Sequence, residues 1–123
     1  MNRYTAADLV FTPGRRAWGV IFRLSDDNFE KLRKIEGPRY EPKPIRVRNQ
    51  AGEDVTATTF LVKPVERRPG IATSAAYVSW IFHGLRDHGV AEEYIAHVIE
   101  VAIETNQRAG AFGVGQIRLI KAL

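Results

Sequence analysis

The chain has 123 residues, of which 45% are hydrophobic and 26% are charged, and this length and composition are typical of one globular domain. The absence of cysteine excludes disulfides, thiol nucleophiles and thiolate metal sites, and no apolar run is long enough to span a bilayer. We therefore expect a single domain over residues 1–123, located in the cytoplasm and not associated with a membrane.

The basic residues are scattered along the chain. The net charge of +4 comes from 18 Lys and Arg against 14 Asp and Glu. Pairs such as Arg15-Arg16 and Arg67-Arg68 lie apart from one another, and no basic helix with interleaved aromatic residues is present. This pattern favours an ordinary solvated surface and argues against nucleic acid as a partner.

The first third of the sequence predicts two strands and a helix. Residues 8–12 and 17–24 are rich in β-branched and aromatic residues, which favour strands. A helix is then expected from a cap at Ser25 or Asp27, because apolar residues recur at helical spacing until Gly37-Pro38. Its predicted apolar face is formed by Phe29, Leu32 and Ile35.

The middle of the sequence predicts a β-hairpin. Residues 45–48 alternate apolar and charged side chains, residues 49–52 have turn composition, and residues 55–62 are again β-prone. Pro42 and Pro44 have the same strand parity, which predicts an edge strand, since a proline cannot donate to a neighbouring strand.

The last part of the sequence predicts two antiparallel helices. Ser74 is the expected cap of the first, which carries Tyr77, Ile81 and Leu85 on one face and stops at Gly89. Residues 91–106 form the second. Residues 110–115 contain three glycines and predict a flexible loop, and the alternation after them predicts a final strand.

Motifs for metal or phosphate chemistry are weak. His83, His88 and His97 lack the H-x-x-x-H spacing that places two ligands on one helix face, and surface pairing is the favoured role. The glycines at 110, 113 and 115 do not have the order of a phosphate-binding loop. We expect no metal site and no cofactor.

Glu36 is the residue with the clearest chemical interest. It is predicted at the end of a helix, where the partial negative charge of the helix terminus disfavours an ionised carboxylate. A carboxyl group that holds a proton near neutrality suits proton transfer. The competing interpretation, an exposed glutamate with no special role, remains open on the spacing alone.

The order of several motifs resembles the gamma-glutamylcyclotransferase-like family. That family has a W-G-V-type strand, a short helix ending in L-D-x-x-E-G, a hairpin, and a later helix that begins S-x-x-Y. The matching residues here are 17–24, then 32–37, then Tyr40 before the hairpin, then Ser74 and Tyr77, with Gly84, Gly89 and Tyr94 downstream. The resemblance covers about residues 17–100 and implies an α+β fold, a small mixed β-barrel with flanking helices.

The resemblance also implies a reaction and a site. Glu36 matches the catalytic glutamate, which would accept a proton from the α-ammonium group of a γ-glutamyl amine and return it to the departing amine as 5-oxoproline forms. Substrate contacts would come from Gly37, Tyr40, Ser74 and Tyr77. For Tyr77, a core aromatic on an amphipathic helix is an equally open interpretation. A noncatalytic relative that serves as a small-molecule-binding or oligomerisation module is the alternative function.

Two features depart from the family pattern. The Y-G-S-N loop that supplies backbone donors to the substrate has no counterpart in the sequence, and Arg33 stands where the family usually has aspartate. A barrel without its first strand would have an open edge, and open edges recruit strands. We therefore expect a homodimer. The resemblance implies that its ligand is a small-molecule substrate.

Overall fold

A computed structural model describes residues 4–123, which form four α-helices and one sheet of two strands. They divide into two compact units. The hairpin unit comprises residues 8–13 and 21–67, and the helical unit comprises the described residues up to Ala7, Gly14–Val20 and Arg68–Leu123. The elements in chain order are α1 (Asp26–Glu36), β1 (Tyr40–Arg48), β2 (Asp54–Val62), a 3₁₀ turn (Pro64–Glu66), α2 (Ala75–Asp87), α3 (Glu92–Arg108) and α4 (Ala111–Lys121).

The hairpin unit packs α1 against the sheet. The helix begins where predicted, because Ser25 Oγ accepts a hydrogen bond from Asn28 N at 3.2 Å. The ring of Phe29 stacks on that of Phe60 in β2, with centroids 5.7 Å apart. Ile35 differs from the expected apolar face, since 80% of its surface is exposed.

The two strands pair antiparallel, with Tyr40 opposite Val62 and Arg48 opposite Asp54. The turn between them is closed by a bond from Asn49 N to Glu53 O at 2.9 Å, and Gly52 takes a φ of 80°, which favours glycine. The predicted hairpin and its proline-bearing outer strand are confirmed.

The helical unit buries its apolar residues between three helices. Phe82 and Leu85 near the end of α2 contact Ile95 near the start of α3, whereas Ala75 and Val78 near the start of α2 contact Ala102 further along α3. This order makes α2 and α3 antiparallel, as predicted. Ile120 of α4 joins the second of these clusters.

The prediction of a flexible loop followed by a final strand is wrong. Residues 111–121 form α4, whose inward positions recur at helical spacing: Gly113, Gln116, Ile117 and Ile120. Gly110 precedes the helix with a φ of 65°, which lets the chain reverse direction after α3. The glycines therefore serve a tight helical junction.

The strands predicted for residues 8–12 and 17–24 are also absent from the described structure, in which both segments lie outside regular helix and strand. A β-prone segment becomes a strand only when it finds a ladder partner, and propensity alone does not supply one. The sheet formed by residues 4–123 accordingly has two strands and does not close into the expected small barrel. The single-domain organisation over residues 1–123 stays a prediction.

In the described part of the chain, none of the helices combines the length and the hydropathy that a membrane span requires.

Candidate functional site

Glu36 and Gly37 lie where α1 ends. Gly37 stops the helix with a φ of 84°, and its N–H bonds to Arg33 O at 3.2 Å. Glu36 is half-buried at this terminus. Among residues 4–123, no hydrogen bond or ion pair to the Glu36 carboxylate is found, so this group is available to an incoming ligand.

Arg33, the residue that departs from the family pattern, is bound to a different carboxylate. Its Nη2 lies 2.9 Å from Glu30 Oε2, and its Nε also donates to Glu30. The hydrogen bond from Arg33 lowers the pKa of Glu30, and the same bond raises the pKa of Arg33. The guanidinium is thus engaged one turn before Glu36.

Tyr40 follows directly on the same stretch of backbone. Its N–H reaches Gly37 O at 3.4 Å, so a tight turn joins the end of α1 to the first residue of β1. The side chain is half-buried. Glu36, Gly37 and Tyr40 therefore belong to one short segment of the hairpin unit, as their spacing predicts.

Asp8, which the sequence pattern did not single out, secures the end of β2 opposite Tyr40. Its Oδ1 accepts hydrogen bonds from Leu9 N at 2.9 Å and Val62 N at 3.0 Å, and its Oδ2 lies 3.3 Å from Arg67 Nε. The Asp8 side chain is only 18% exposed. The bond to Val62 joins residues 54 positions apart, and no local signal could have revealed it.

Ser74 and Tyr77 lie in the helical unit, at the start of α2. Ser74 is the N-cap, as predicted, and its Oγ accepts from Tyr77 N at 3.1 Å. The Tyr77 hydroxyl accepts a hydrogen bond from Ala7 N at 2.9 Å. No acceptor for the Tyr77 hydroxyl proton is found within residues 4–123, which leaves that proton free to donate to a ligand.

Two amides hold the chain that leads into α2, and the sequence pattern missed both. Fully buried Asn106 accepts from Thr73 N at 2.7 Å and donates to Thr73 O at 3.0 Å. Gln116 accepts from Ala75 N at 2.9 Å. Since Ser74 lies between these anchors, its position as a cap is set by α3 and α4 as well as by α2.

The five predicted site residues thus fall into two groups. Glu36, Gly37 and Tyr40 belong to the hairpin unit, and Ser74 and Tyr77 belong to the helical unit. Each group is held by the contacts of its own unit.

The histidines lie apart from both groups in sequence and contact other residues of the helical unit. His83 packs edge-on against Phe82, His97 lies beside Tyr94, and His88 Nδ1 is 2.8 Å from Gly84 O. In the described part of the chain, no group of three or more His, Asp or Glu side chains could hold a metal ion.

Comparison with known proteins supplies a family. Residues 16–98 match the sequence profile of the AIG2-like family. The chain is 29% identical to gamma-glutamylcyclotransferase of Mus musculus over 107 residues, which are 85% of this chain and 54% of that protein. It is 28% identical to the Homo sapiens protein with the same coverage, and 29% identical to the Bos taurus protein over 91 residues, 72% of this chain and 47% of that one. No solved structure matches. The chain spans about half the length of the curated relatives it matches.

Proposed function

The chain belongs to the AIG2-like family, and on that premise we propose that it cyclises a γ-glutamyl amine to 5-oxoproline and releases the amine. The names of its gamma-glutamylcyclotransferase relatives supply the reaction class. The observation that carries the proposal is the half-buried Glu36 carboxylate at the end of α1, which has no ion-pair or hydrogen-bond partner among residues 4–123.

The reaction is an intramolecular acyl transfer. Glu36 accepts a proton from the α-ammonium group, and the free amine attacks the γ-carbonyl carbon of the same molecule. The new C–N bond closes the five-membered lactam, and the amide bond to the leaving amine breaks. The leaving amine takes the proton from Glu36 together with the second proton that the ring nitrogen loses, and departs as an ammonium ion, so the carboxylate is regenerated and water is not consumed.

The state of Arg33 supports this role for Glu36. Arg33 is bound to Glu30 by two of its nitrogens and makes no ion pair with Glu36 in the described part of the chain. The departure from the family pattern at Arg33 therefore leaves the Glu36 carboxylate open to the ammonium group of a substrate.

The other predicted residues act as substrate contacts in this proposal. Gly37 and Tyr40 lie within four residues of Glu36, where they can contact the same small molecule. Tyr77 donates its hydroxyl proton to the substrate, because its oxygen already accepts from Ala7 N. Ser74 supports Tyr77 by capping the helix that carries it.

A homodimer completes the fold in this proposal. The sheet formed by residues 4–123 has two strands and is not closed. We propose that a second copy supplies the strand pairing that would turn this sheet into the small mixed barrel.

The activity is tested by incubating the purified protein with a panel of γ-glutamyl amines and quantifying 5-oxoproline and free amine. The expected result is one 5-oxoproline for each amine released. A matched substrate with an acetylated α-nitrogen cannot cyclise and should be inert. Release of glutamate in place of 5-oxoproline, or turnover of the acetylated substrate, would show hydrolysis and contradict the proposal.

Substrate contact by Tyr77 is tested with Tyr77→Phe, which removes the donating proton and the acceptor of the Ala7 bond but keeps the ring. The expected result is a KM several-fold higher, since one hydrogen bond to a neutral group contributes about 0.5–1.5 kcal/mol. An unchanged KM would remove Tyr77 from the substrate contacts.

A further inference from the structure

Among the described residues, the outer edge of β2 carries backbone groups without hydrogen-bond partners. Bonds from Asn49 N to Glu53 O and from Lys63 N to Arg39 O mark the two ends of the β1–β2 ladder. Hydrogen-bonded and non-hydrogen-bonded pairs alternate along an antiparallel ladder. Since Glu53 and Lys63 are both bonded to the opposite strand, the odd-numbered residues of β2 direct their N–H and C=O groups toward β1. The even-numbered residues of β2 direct these groups away from β1. Within residues 4–123, no hydrogen bond of these outward groups is found for Thr56, Thr58 and Phe60.

The outer edge of β1, by contrast, is poorly suited to pairing with a further strand. Pro42 and Pro44 have the outward parity on that strand and lack the N–H that a further strand would need. Lys43 and Arg46 add charge along it. The sequence of β2, DVTATTFLV, has no proline and no basic residue. Of the two edges, β2 is the one built to accept a strand.

The same chain carries a segment suited to pair with that edge. Residues 17–24 are β-prone and lie outside regular secondary structure, with Trp18 58%, Ile21 53% and Phe22 67% exposed. With Val20 and Leu24, the exposed side chains amount to roughly 500 Å² per copy, more than half of the ~800 Å² that each partner contributes to a stable dimer. An exposed apolar segment of this size marks an interaction site.

Side-chain parity restricts the antiparallel alignment, because the apolar side chains of the added strand must lie on the apolar face of the hairpin. The face of the hairpin that carries Ile45, Val47, Val55 and Ala57 is half-buried and apolar. An alignment with Val20 opposite Ala57 places Trp18, Val20 and Phe22 on this same face, since alternate residues share a face.

Charge is compatible with the alignment. Arg23, the one charged residue of the segment 17–24, then falls opposite Asp54, the one charged residue of β2. Asp54 is half exposed and already lies 3.5 Å from Arg48 and 4.0 Å from Arg46, so it has surface left for a further guanidinium. Opposite charges directly across a ladder favour pairing, though modestly.

We infer that residues 17–23 of a second copy add to the outer edge of β2 as an antiparallel strand, and that the exchange is reciprocal, giving a two-fold symmetric dimer. The inference rests on the homodimer proposed above and specifies its surface. It does not depend on the cyclotransferase activity.

Engineered cysteines test the contact directly, because the native chain contains none. One protein carries Val20→Cys and another carries Ala57→Cys, a pair that the alignment places at a non-hydrogen-bonded position, where side chains are close. Mixing the two under mild oxidation is expected to give a disulfide between unlike chains. The matched control replaces Ala57→Cys by Ile45→Cys, on the same face but one strand further away, and should give little cross-link.

A second pair of variants tests the edge itself. Thr58→Pro removes an outward N–H at the position opposite the natural Pro44, whereas Thr58→Val keeps the N–H. Thr58→Pro is expected to raise the dimer dissociation constant about a hundredfold, and Thr58→Val is expected to change it little. Sedimentation equilibrium measures the constant, and circular dichroism checks that both variants fold.

The outcomes separate the two proposals. A native protein that is monomeric at micromolar concentration overturns both the homodimer and this inference. A dimer that Thr58→Pro leaves intact, or that forms no 20–57 disulfide, uses another surface and overturns the inference alone. A dimer that fails to produce 5-oxoproline overturns the proposed activity and leaves the strand exchange standing.

Discussion

Replacing Gly113 by alanine is expected to destabilise the helical unit, although alanine is the better helix former. An alanine Cβ at position 113 would overlap the backbone carbonyl of Asn106 in α3 and lie 2.7 Å from its Cα. Backbone atoms cannot move aside as a flexible side chain can, so α4 would have to shift away from α3. Overpacking of this kind costs about 1–3 kcal/mol.

The matched control is Gly115→Ala on the same helix. A Cβ at that position meets nothing within 4 Å. Alanine there should stabilise the protein by about 0.5–1 kcal/mol, the general advantage of alanine over glycine inside a helix. Both substitutions add one methyl group to a glycine of α4, two residues apart. They are expected to change the free energy of unfolding in opposite directions.

Urea denaturation followed by circular dichroism at the helix band measures both free energies of unfolding. We expect a lower urea midpoint for Gly113→Ala and a higher one for Gly115→Ala than for the native protein. A Gly113→Ala protein as stable as Gly115→Ala would refute the close approach of α4 to α3.

Three other contacts give further predictions. Asn106→Ala leaves the buried N–H and C=O of Thr73 without partners and should lower the free energy of unfolding by about 2–3 kcal/mol; a urea midpoint near the native one would contradict this. Because Arg33 lowers the pKa of Glu30, the stabilising contribution of this pair is present above the ordinary value of 4.5 and is lost as the pH falls through the lowered folded-state pKa. NMR titration should show the Glu30 pKa returning toward 4.5 in Arg33→Gln, and no change would mean that the pair does not form in solution. Asp8→Ala removes two backbone hydrogen bonds and an ion pair and should cost about 1–3 kcal/mol, with Asp8→Asn costing less because an acceptor oxygen remains; equal costs would show that the acceptor is not used.

Elements with strong local signals were predictable from the sequence. Ser25 and Ser74 each cap a helix through their own hydroxyl, and the hairpin follows from alternation on either side of its turn. These signals act over a few residues, and the physics that produces them is visible in a short window of sequence.

The errors arose where long-range packing decides the local structure. Three glycines between residues 110 and 115 predict a loop, yet Gly113 lies in a helix because only glycine permits the approach to Asn106. Residues 17–24 have the composition of a strand, but strand formation depends on a partner that the sequence does not reveal.

The candidate site likewise combines a local arrangement that the sequence predicts with long-range contacts that it does not. Glu36, Gly37 and Tyr40 are close in sequence, and their proximity at the end of α1 could be predicted. Asp8 and Asn106 bond to residues 54 and 33 positions away and were not predicted. Contacts of that range leave no periodic trace in a single sequence.

The role of Glu36 in proton transfer is the central claim, and one comparison tests it most directly. Steady-state rates of 5-oxoproline formation are measured for the native protein, for Glu36→Gln, and for Asp27→Asn, which neutralises an exposed carboxylate on the same helix. Loss of a general acid–base group should lower kcat by about 10²–10⁴-fold in Glu36→Gln, while Asp27→Asn stays near the native rate. A Glu36→Gln protein that turns over at the rate of Asp27→Asn would contradict the account.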